Sequence, residues 1–337
     1  ILNIGLVINP EMEVVNSILR IMSAPEVEEV NDFMGGRLKM LGKHLPPDSP
    51  LNGLKLMQLP EKIERQRMII AALVREEQLI IPKGKDVLRA GDFVYFVCRN
   101  RDIEEILRLF GKKAASLRNI LVVGGGNIGF PLAKELETRR LNVKLIEKDP
   151  QRCQQISAKL NRTIVLQGLA TDQKFLEQEN IGHMDMVVAV TWDEEMNILA
   201  CLLAKQLGAK KTVARVNKVP YIPLVQAIGI DHIVSPRLSA INALFPYLRR
   251  GKVISNVTIR GKAAEVLEAE ALPNSSIVGQ PLRDLQFPKE ALFLCIFRGN
   301  EVFIPSGNTV IEPGDRVLIL STGPAVPMVE QALMSRR

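Results

Sequence analysis

Aromatic side chains make up 4% of this 337-residue chain, with a single tryptophan, and that shortage removes the stacking platforms that hold single-stranded nucleic acid. Histidine is as scarce. His44, His183 and His232 lie far apart, and no Ser/His/Asp or Cys/His grouping forms around them, so no catalytic set emerges and an enzyme is not expected. The four cysteines (Cys98, Cys153, Cys201 and Cys295) include no C-x-x-C pair, and three sit in apolar runs where cysteine acts as a small hydrophobe. That spacing argues against a disulfide framework and against a zinc site, no other metal site is expected, and a reducing compartment fits. No apolar run reaches the roughly 18 residues that span a bilayer. No secretory signal is recognisable either, so a soluble, cytosolic protein is expected. The net charge is +7, yet the basic residues are scattered among 37 acids. Their densest cluster, Arg249 to Lys252, reads as a solvated helix end, and no nucleic-acid partner is expected.

What is present is apolar mass in ordered patterns. Hydrophobic residues reach 47% and the mean hydropathy is +0.09, as two or three well-buried domains require. The most informative stretch is Asn119–Gly129, a β-branched run that breaks into Gly124-x-Gly126-x-x-Gly129 and continues as a helix expected over Asn127–Arg140. A dinucleotide-binding turn needs a tight bend, a backbone bare enough to touch pyrophosphate, and a helix N-terminus aimed at the anion. Glycine supplies the first two because it lacks a Cβ. A glycine triplet alone is a weak signal. Here it follows a strand, opens a helix, and meets an acid, Glu147, at the end of a second strand and 21 residues beyond Gly126.

The chain also repeats itself. Gly229–Pro236 matches Asn3–Pro10 at an offset of 226, with Asn242 matching Asn16 in the helix that follows. Ile304–Gly307 and Glu312–Asp315 match Ile81–Gly84 and Arg89–Asp92 at an offset of 223. Offsets this constant across several turns indicate duplication. The repeat predicts α/β architecture: a Rossmann-like, doubly wound parallel sheet with two small α+β domains from a duplicated array. Residues 1–24 are expected to be the tail of a truncated first Rossmann-like domain, 27–111 a first small domain, 117–250 a complete Rossmann-like domain, and 252–335 the second small domain. On this reading the chain is a fragment, and the linkers are 111–116 and 249–252. Strands of the complete domain are expected near 119–123, 143–147, 163–167, 186–190, 212–216 and 232–235. Runs such as Met186–Val190 have the continuous apolarity of a strand buried on both faces.

Ligands of a doubly wound sheet sit at the carboxyl ends of its strands. The phosphate candidates there are Gly124, Gly125, Gly126, Asn127, Ile128 and Gly129. Glu147 can accept from both hydroxyls of a ribose and repels a 2′-phosphate, which favours NAD(H) or an unmodified adenine nucleotide, ATP or ADP, over NADP. Lys148 either faces a phosphate or is a solvated loop lysine. Asp172 is expected first as the N-cap of the next helix and second as a ligand contact. The acids of Thr191–Asn197 suit a first helical turn. Arg215 lies inside an apolar strand, where an unpaired guanidinium is seldom tolerated; phosphate and an internal carboxylate are its two possible partners.

A β-α-β nucleotide domain followed by a small α+β domain, the pair duplicated, resembles the regulator-of-potassium-conductance (RCK) family and, within it, the TrkA-type peripheral subunits of potassium uptake. Residues 120–129, 187–197, 213–217 and 229–236 carry the resemblance, which covers the whole chain. It implies a cytosolic gating ring, peripheral on the inner face of the membrane, controlled by NAD(H) or ATP/ADP and acting on a potassium-channel-like membrane subunit of the TrkH type. It implies that the glycine turn and Glu147 hold the nucleotide, with Arg215 at its phosphates. The helix Pro236–Arg250 resembles the family's crossover helix between subunits, which implies a homo-oligomer, a dimer or tetramer; packing within its own domain is the other reading. Leu169 departs from the pattern, since the family often has aspartate after the glycine that ends strand three. The alternative to a regulator is an NAD-dependent oxidoreductase with its catalytic residues outside this sequence.

Overall fold

The computed structural model describes residues 7–62, 68–111, 117–248, 253–259 and 264–334. The expected linkers, but for Gly111, and the strand before Pro10, but for its last residues, lie outside them. Two compact units are present, Ile1–Pro25 with Ala115–Ala243, and Glu26–Ala114 with Leu244–Arg337.

In chain order the first unit opens with α1 (Pro10–Ser23). Asn9 caps it, accepting from the backbone N–H groups of Glu11 and Met12, and Pro10 stands at the first helical position, where no donor is missed. The chain then enters the other unit through β1 (Glu29–Phe33), β2 (Leu38–His44), α2 (Leu59–Lys62), β3 (Met68–Arg75), β4 (Gln78–Ile80), β5 (Phe93–Arg99) and α3 (Ile103–Leu109). It returns as β6 (Asn119–Val123), α4 (Gly129–Thr138), β7 (Asn142–Glu147), α5 (Pro150–Ser157), β8 (Ile164–Gln167), α6 (Gln173–Gln178), β9 (Met186–Ala189), α7 (Glu194–Gln206), β10 (Lys211–Arg215), α8 (Ile222–Ala227), β11 (His232–Val234) and α9 (Pro236–Leu248), whose residues from Leu244 on belong to the second unit. The last stretch is β12 (Val253–Ile259), β13 (Ala264–Glu270), β14 (Ala291–Arg298), β15 (Glu301–Phe303), β16 (Arg316–Thr322) and α10 (Val326–Leu333).

The first unit is built on a six-stranded parallel sheet in the order β11-β10-β9-β6-β7-β8. Numbered within the domain this is the 3-2-1-4-5-6 order of dinucleotide-binding folds. The two-residue period of a strand divides its apolar run between two cores. Ile120 and Val122 join Val188, Leu132 and Leu136 on one face, while Leu121 and Val123 join Val187, Ala200 and Ala204 on the other. α1 covers the first face. Val14, Val15, Ile18, Ile21 and Met22, spaced for one helical stripe, are buried in the same core as α4. The repeat-related helix α9 places Ala240, Ile241 and Leu244 at the positions of Val14, Val15 and Ile18, yet Ile241 and Leu244 are 39% and 40% exposed.

In the second unit the two small domains carry antiparallel sheets of matching order, β1-β2-β5-β3-β4 and β12-β13-β16-β14-β15. Even the bulge is repeated, between Ile70 and Ala72 and again between Phe293 and Cys295, 223 residues on. Phe33, Met40 and Tyr95 of one copy and Val266, Leu294 and Leu318 of the other belong to a single apolar core. The Gly-Asp turns are structural in both copies. Arg75 donates from Nε and Nη2 to Asp92, and Arg298 does the same to Asp315, all at 2.7–2.9 Å. Each aspartate also accepts the backbone N–H three residues earlier, from Arg89 or Glu312. The buried positions where the copies differ include one that is polar in a single copy. Glu268 accepts the Met34 backbone N–H at 2.9 Å, where the related position in β2 is Gly42.

Candidate functional site

The strand order reverses between β6 and β9, and the loops that follow them part there to leave a crevice. A cavity of about 220 Å³ fills it, lined by Gly124, Gly126, Asn127, Ile128, Glu147, Lys148, Gly168, Leu169, Thr191, Trp192, Met196, Arg215 and Glu11 of α1, among others.

The glycines of the turn serve different ends. Gly124 has φ +98°, in the left-handed region that favours glycine. A Cβ on Gly125 would lie 2.1 Å from Ile156 Cδ1, and one on Gly129 1.8 Å from the Gly124 carbonyl oxygen, so both permit close packing of α4 and α5 on the sheet. Gly126 is otherwise. Its φ is ordinary, and its Cβ would meet nothing nearer than Trp192 Nε1 at 3.9 Å. The fold does not need glycine at 126. The space a side chain would fill opens on the cavity, at the start of α4, where unpaired N–H groups favour an anion.

Glu147 stands at the end of β7, but its carboxylate is largely spent on the backbone. Oε2 accepts Gly125 N–H at 2.8 Å, and Oε1 accepts the N–H groups of Lys148 and Asp149 at 2.8 and 3.0 Å. A carboxylate has about four acceptor positions, so roughly one is left for a ribose hydroxyl where two were expected. Lys148 is exposed at the cavity rim. Asp172 caps α6, accepting Phe175 N–H at 3.2 Å, and does not line the cavity. Leu169, 52% exposed, lines it instead.

Arg215 is 5% exposed at the end of β10. Its Nη1 donates to the Thr191 carbonyl at 3.1 Å, and its guanidinium lies 4.5 Å from the centre of the Trp192 ring. Its Nε is buried with no hydrogen-bond partner, and among the described residues no carboxylate pairs with it. Burial holds its pKa below the usual arginine value, with Glu11 and Glu194 acting in the opposite sense. A cation desolvated without an ion-pair partner is costly unless a ligand meets it. The internal-carboxylate alternative is thus not what the geometry offers.

Three contributors were not singled out from the sequence. Asn197, fully buried, accepts from Thr191 N and Oγ1 and donates from Nδ2 to the carbonyls of Thr191 and Arg215, tying the ends of β9 and β10 together. Its signal was a carboxamide on the apolar face of α7. Trp192, the sole tryptophan, is 67% exposed beside Arg215. Glu11 comes from 116 residues upstream of Asn127, whose Nδ2 donates to its Oε1 at 3.2 Å. The acids after β9 divide their work. Asp193 caps α7, while Glu194 accepts from Asn217 and Lys218 N–H groups and pairs with Lys218 Nζ.

Comparison with known proteins agrees with this architecture. Residues 120–236 match the TrkA-N domain model, and residues 44–111 and 266–334 each match the TrkA-C domain model. The Trk system potassium uptake protein TrkA homolog 1 of Methanosarcina mazei is 37% identical over 97% of this chain and 73% of its own length. Trk system potassium uptake protein TrkA of Halomonas elongata is 36% identical over 94% of this chain and 70% of its own. Among solved structures, the GsuK RCK domain is similar with a TM-score of 0.52 at 19% identity, over 98% of this chain and 70% of that one. The GsuK channel bound to NAD gives 0.51 at 19%, over 96% and 58%. The curated relatives are named for potassium uptake and not for a catalysed reaction, which sets the oxidoreductase alternative aside. Among the described residues no helix is long and apolar enough to cross a membrane. A TrkA-N domain between two TrkA-C domains, with relatives this similar over nearly all of its length, places the chain in the TrkA family of Trk potassium uptake proteins.

Proposed function

We propose that this chain is a nucleotide-sensing regulatory subunit acting on a potassium-channel-like membrane protein of the TrkH type, and that the nucleotide, NAD(H) or ATP/ADP, seats in the turn Gly124–Gly129. The observation that carries the reading is Arg215, a buried guanidinium with an unpartnered Nε beside a glycine turn that leaves room at Gly126. The turn and the start of α4 would hold the phosphates, Arg215 would meet their charge, and the remaining acceptor of Glu147 would take one ribose hydroxyl. What the nucleotide supplies in this reading is charge and shape to be bound, with no bond made or broken. The GsuK channel, of the same fold, has been solved with NAD.

Sensing requires that binding favour one of two arrangements of an interface. The exposed Ile241 and Leu244 of α9 support such an interface in a dimer or tetramer, because the same stripe in α1 is buried against a Rossmann-like face. A peripheral position beneath the membrane protein follows from this role. The test is titration of NADH, ATP and adenosine against wild type and Arg215→Gln, read by calorimetry and by Trp192 fluorescence. Loss that grows with phosphate charge is expected, about ten- to a hundredfold for ATP, the weight of one charge-assisted hydrogen bond. Equal loss for ATP and adenosine would make Arg215 a structural residue, and no binding of any nucleotide would end the sensing reading.

A further inference from the structure

Glu11 enters the cavity from outside the β-α-β units that form the rest of it. It stands in the first turn of α1, held there by the Asn9 cap and by the buried stripe Val14, Val15 and Ile18 beneath it. Its Oε1 accepts from Asn127, the residue after Gly126, and it lines the same cavity as Gly126 and Arg215. Its charge reaches Arg215, partly offsetting the effect of burial there. Two other acids line the cavity, but their carboxylates are bonded to backbone N–H groups, Glu147 to three and Asp193 to that of Met196. For Glu11 no backbone donor is found among the described residues.

The ordinary account is that an acid in a first turn suits the helix dipole. Glu13 already supplies that, and the position 226 residues on, in α9, is Arg237. The helix start therefore does not demand a carboxylate at 11.

We infer that Glu11 is a specificity-determining residue, opposing a bare triphosphate and favouring a dinucleotide. This rests on the nucleotide reading above. Past its diphosphate, NAD(H) presents a second sugar and a carboxamide, which are donors a carboxylate accepts. ATP presents a third phosphate there, whose charge a carboxylate repels.

The full chain is titrated with NADH and with ATP, in chelator so that no metal ion screens the phosphates. Quenching of Trp192, the sole tryptophan and part of the cavity wall, is the readout. Glu11→Gln should tighten ATP about tenfold, the effect of removing one unit charge a few ångström away, and shift NADH by less than about threefold. Glu11→Arg, with the residue of the repeat-related position, should extend the trend. Glu13→Gln makes the same change of net charge in the same turn but outside the cavity, and should leave both affinities as they are. Thermal melting establishes that each variant keeps its fold. An equal change for both ligands, or a Glu13→Gln that reproduces the effect, overturns the inference. If wild type binds neither ligand, the nucleotide reading falls with it; if wild type binds both and their ratio ignores Glu11, the inference falls alone.

Discussion

Replacing Gly126 by alanine separates the needs of the fold from the needs of a ligand. The new Cβ meets no protein atom nearer than 3.9 Å, and the backbone at 126 is not in the left-handed region. The folded state therefore accepts it without strain, while the unfolded chain loses glycine's freedom, a gain of about 0.4–1 kcal/mol. Melting temperature should hold or rise by about 1–4 °C for a unit of this size. Gly129→Ala is the contrast. Its Cβ would stand 1.8 Å from the Gly124 carbonyl oxygen, backbone against backbone, so α4 must move off the sheet. Overpacking of that kind costs about 1–3 kcal/mol or more. Binding should sort the two in the opposite order of visibility: Gly126→Ala melts like wild type but puts a methyl group into the phosphate cradle. Loss of one charge-assisted hydrogen bond costs about 1.5–3 kcal/mol, roughly ten- to a hundredfold in affinity. Differential scanning fluorimetry and NADH titration on the same samples decide. Wild-type affinity in Gly126→Ala would refute the cradle, and a melting temperature several degrees lower would show that the glycine serves the fold after all.

Asp92 gives a pH prediction. Burial pushes its carboxyl up, but the Arg75 guanidinium and the Arg89 backbone N–H outweigh this and hold it below the usual range. A folded pKa below the unfolded one gives stability that is present above about pH 4 and lost as pH falls through the folded value. Asp92→Asn should accordingly cost about 1.5–3 kcal/mol near neutral pH, the loss of charge-assisted hydrogen bonds to the partly exposed Arg75, and flatten the acid limb of the melting profile. An unchanged acid limb counts against it. Leu244→Asp should dissociate an oligomer by light scattering while circular dichroism keeps its shape; a wild-type monomer at tens of micromolar would remove α9 as an interface.

The six strands of the Rossmann-like sheet were legible to within two residues: the central β6, β9 and β10 are buried on both faces and therefore apolar, while the edge strand β8, exposed at both ends, is marked by its β-branched start and the glycine that follows it. The glycine turn was legible for the same local reason. α4 begins at Gly129, two residues later than the expected helix, after a turn in which Gly124 N–H is given to the Ile146 carbonyl and Gly125 N–H to Glu147. Glu147 was placed correctly at its strand end, but the competition of three backbone donors for its oxygens depends on how the chain folds back over it, which spacing does not encode. Glu11 escaped because its partner lies 116 residues away, and Asn197 because its role depends on the ends of β9 and β10 being neighbours. The Gly-Asp turns were read as turn signals; that each aspartate holds an arginine 17 residues earlier became clear only once β3 and β14 were seen beside β5 and β16.

The core shared by the two small domains makes them a dimer that dilution cannot separate. In a symmetric homodimer a substitution always arrives twice, once on each side of the axis, and must be tolerated at both. Here the copies are free to drift apart. Position 268 carries a carboxylate that reaches across to Met34, while its twin at 42 stays glycine, since a Cβ there would strike the Phe93 ring at 2.7 Å. The joint has acquired a handedness: one copy grips and the other is gripped. Two Gly42-bearing copies paired with each other would leave the Met34 N–H without that carboxylate, so the joint now depends on the two unlike copies being supplied together, which fusion into one polypeptide guarantees.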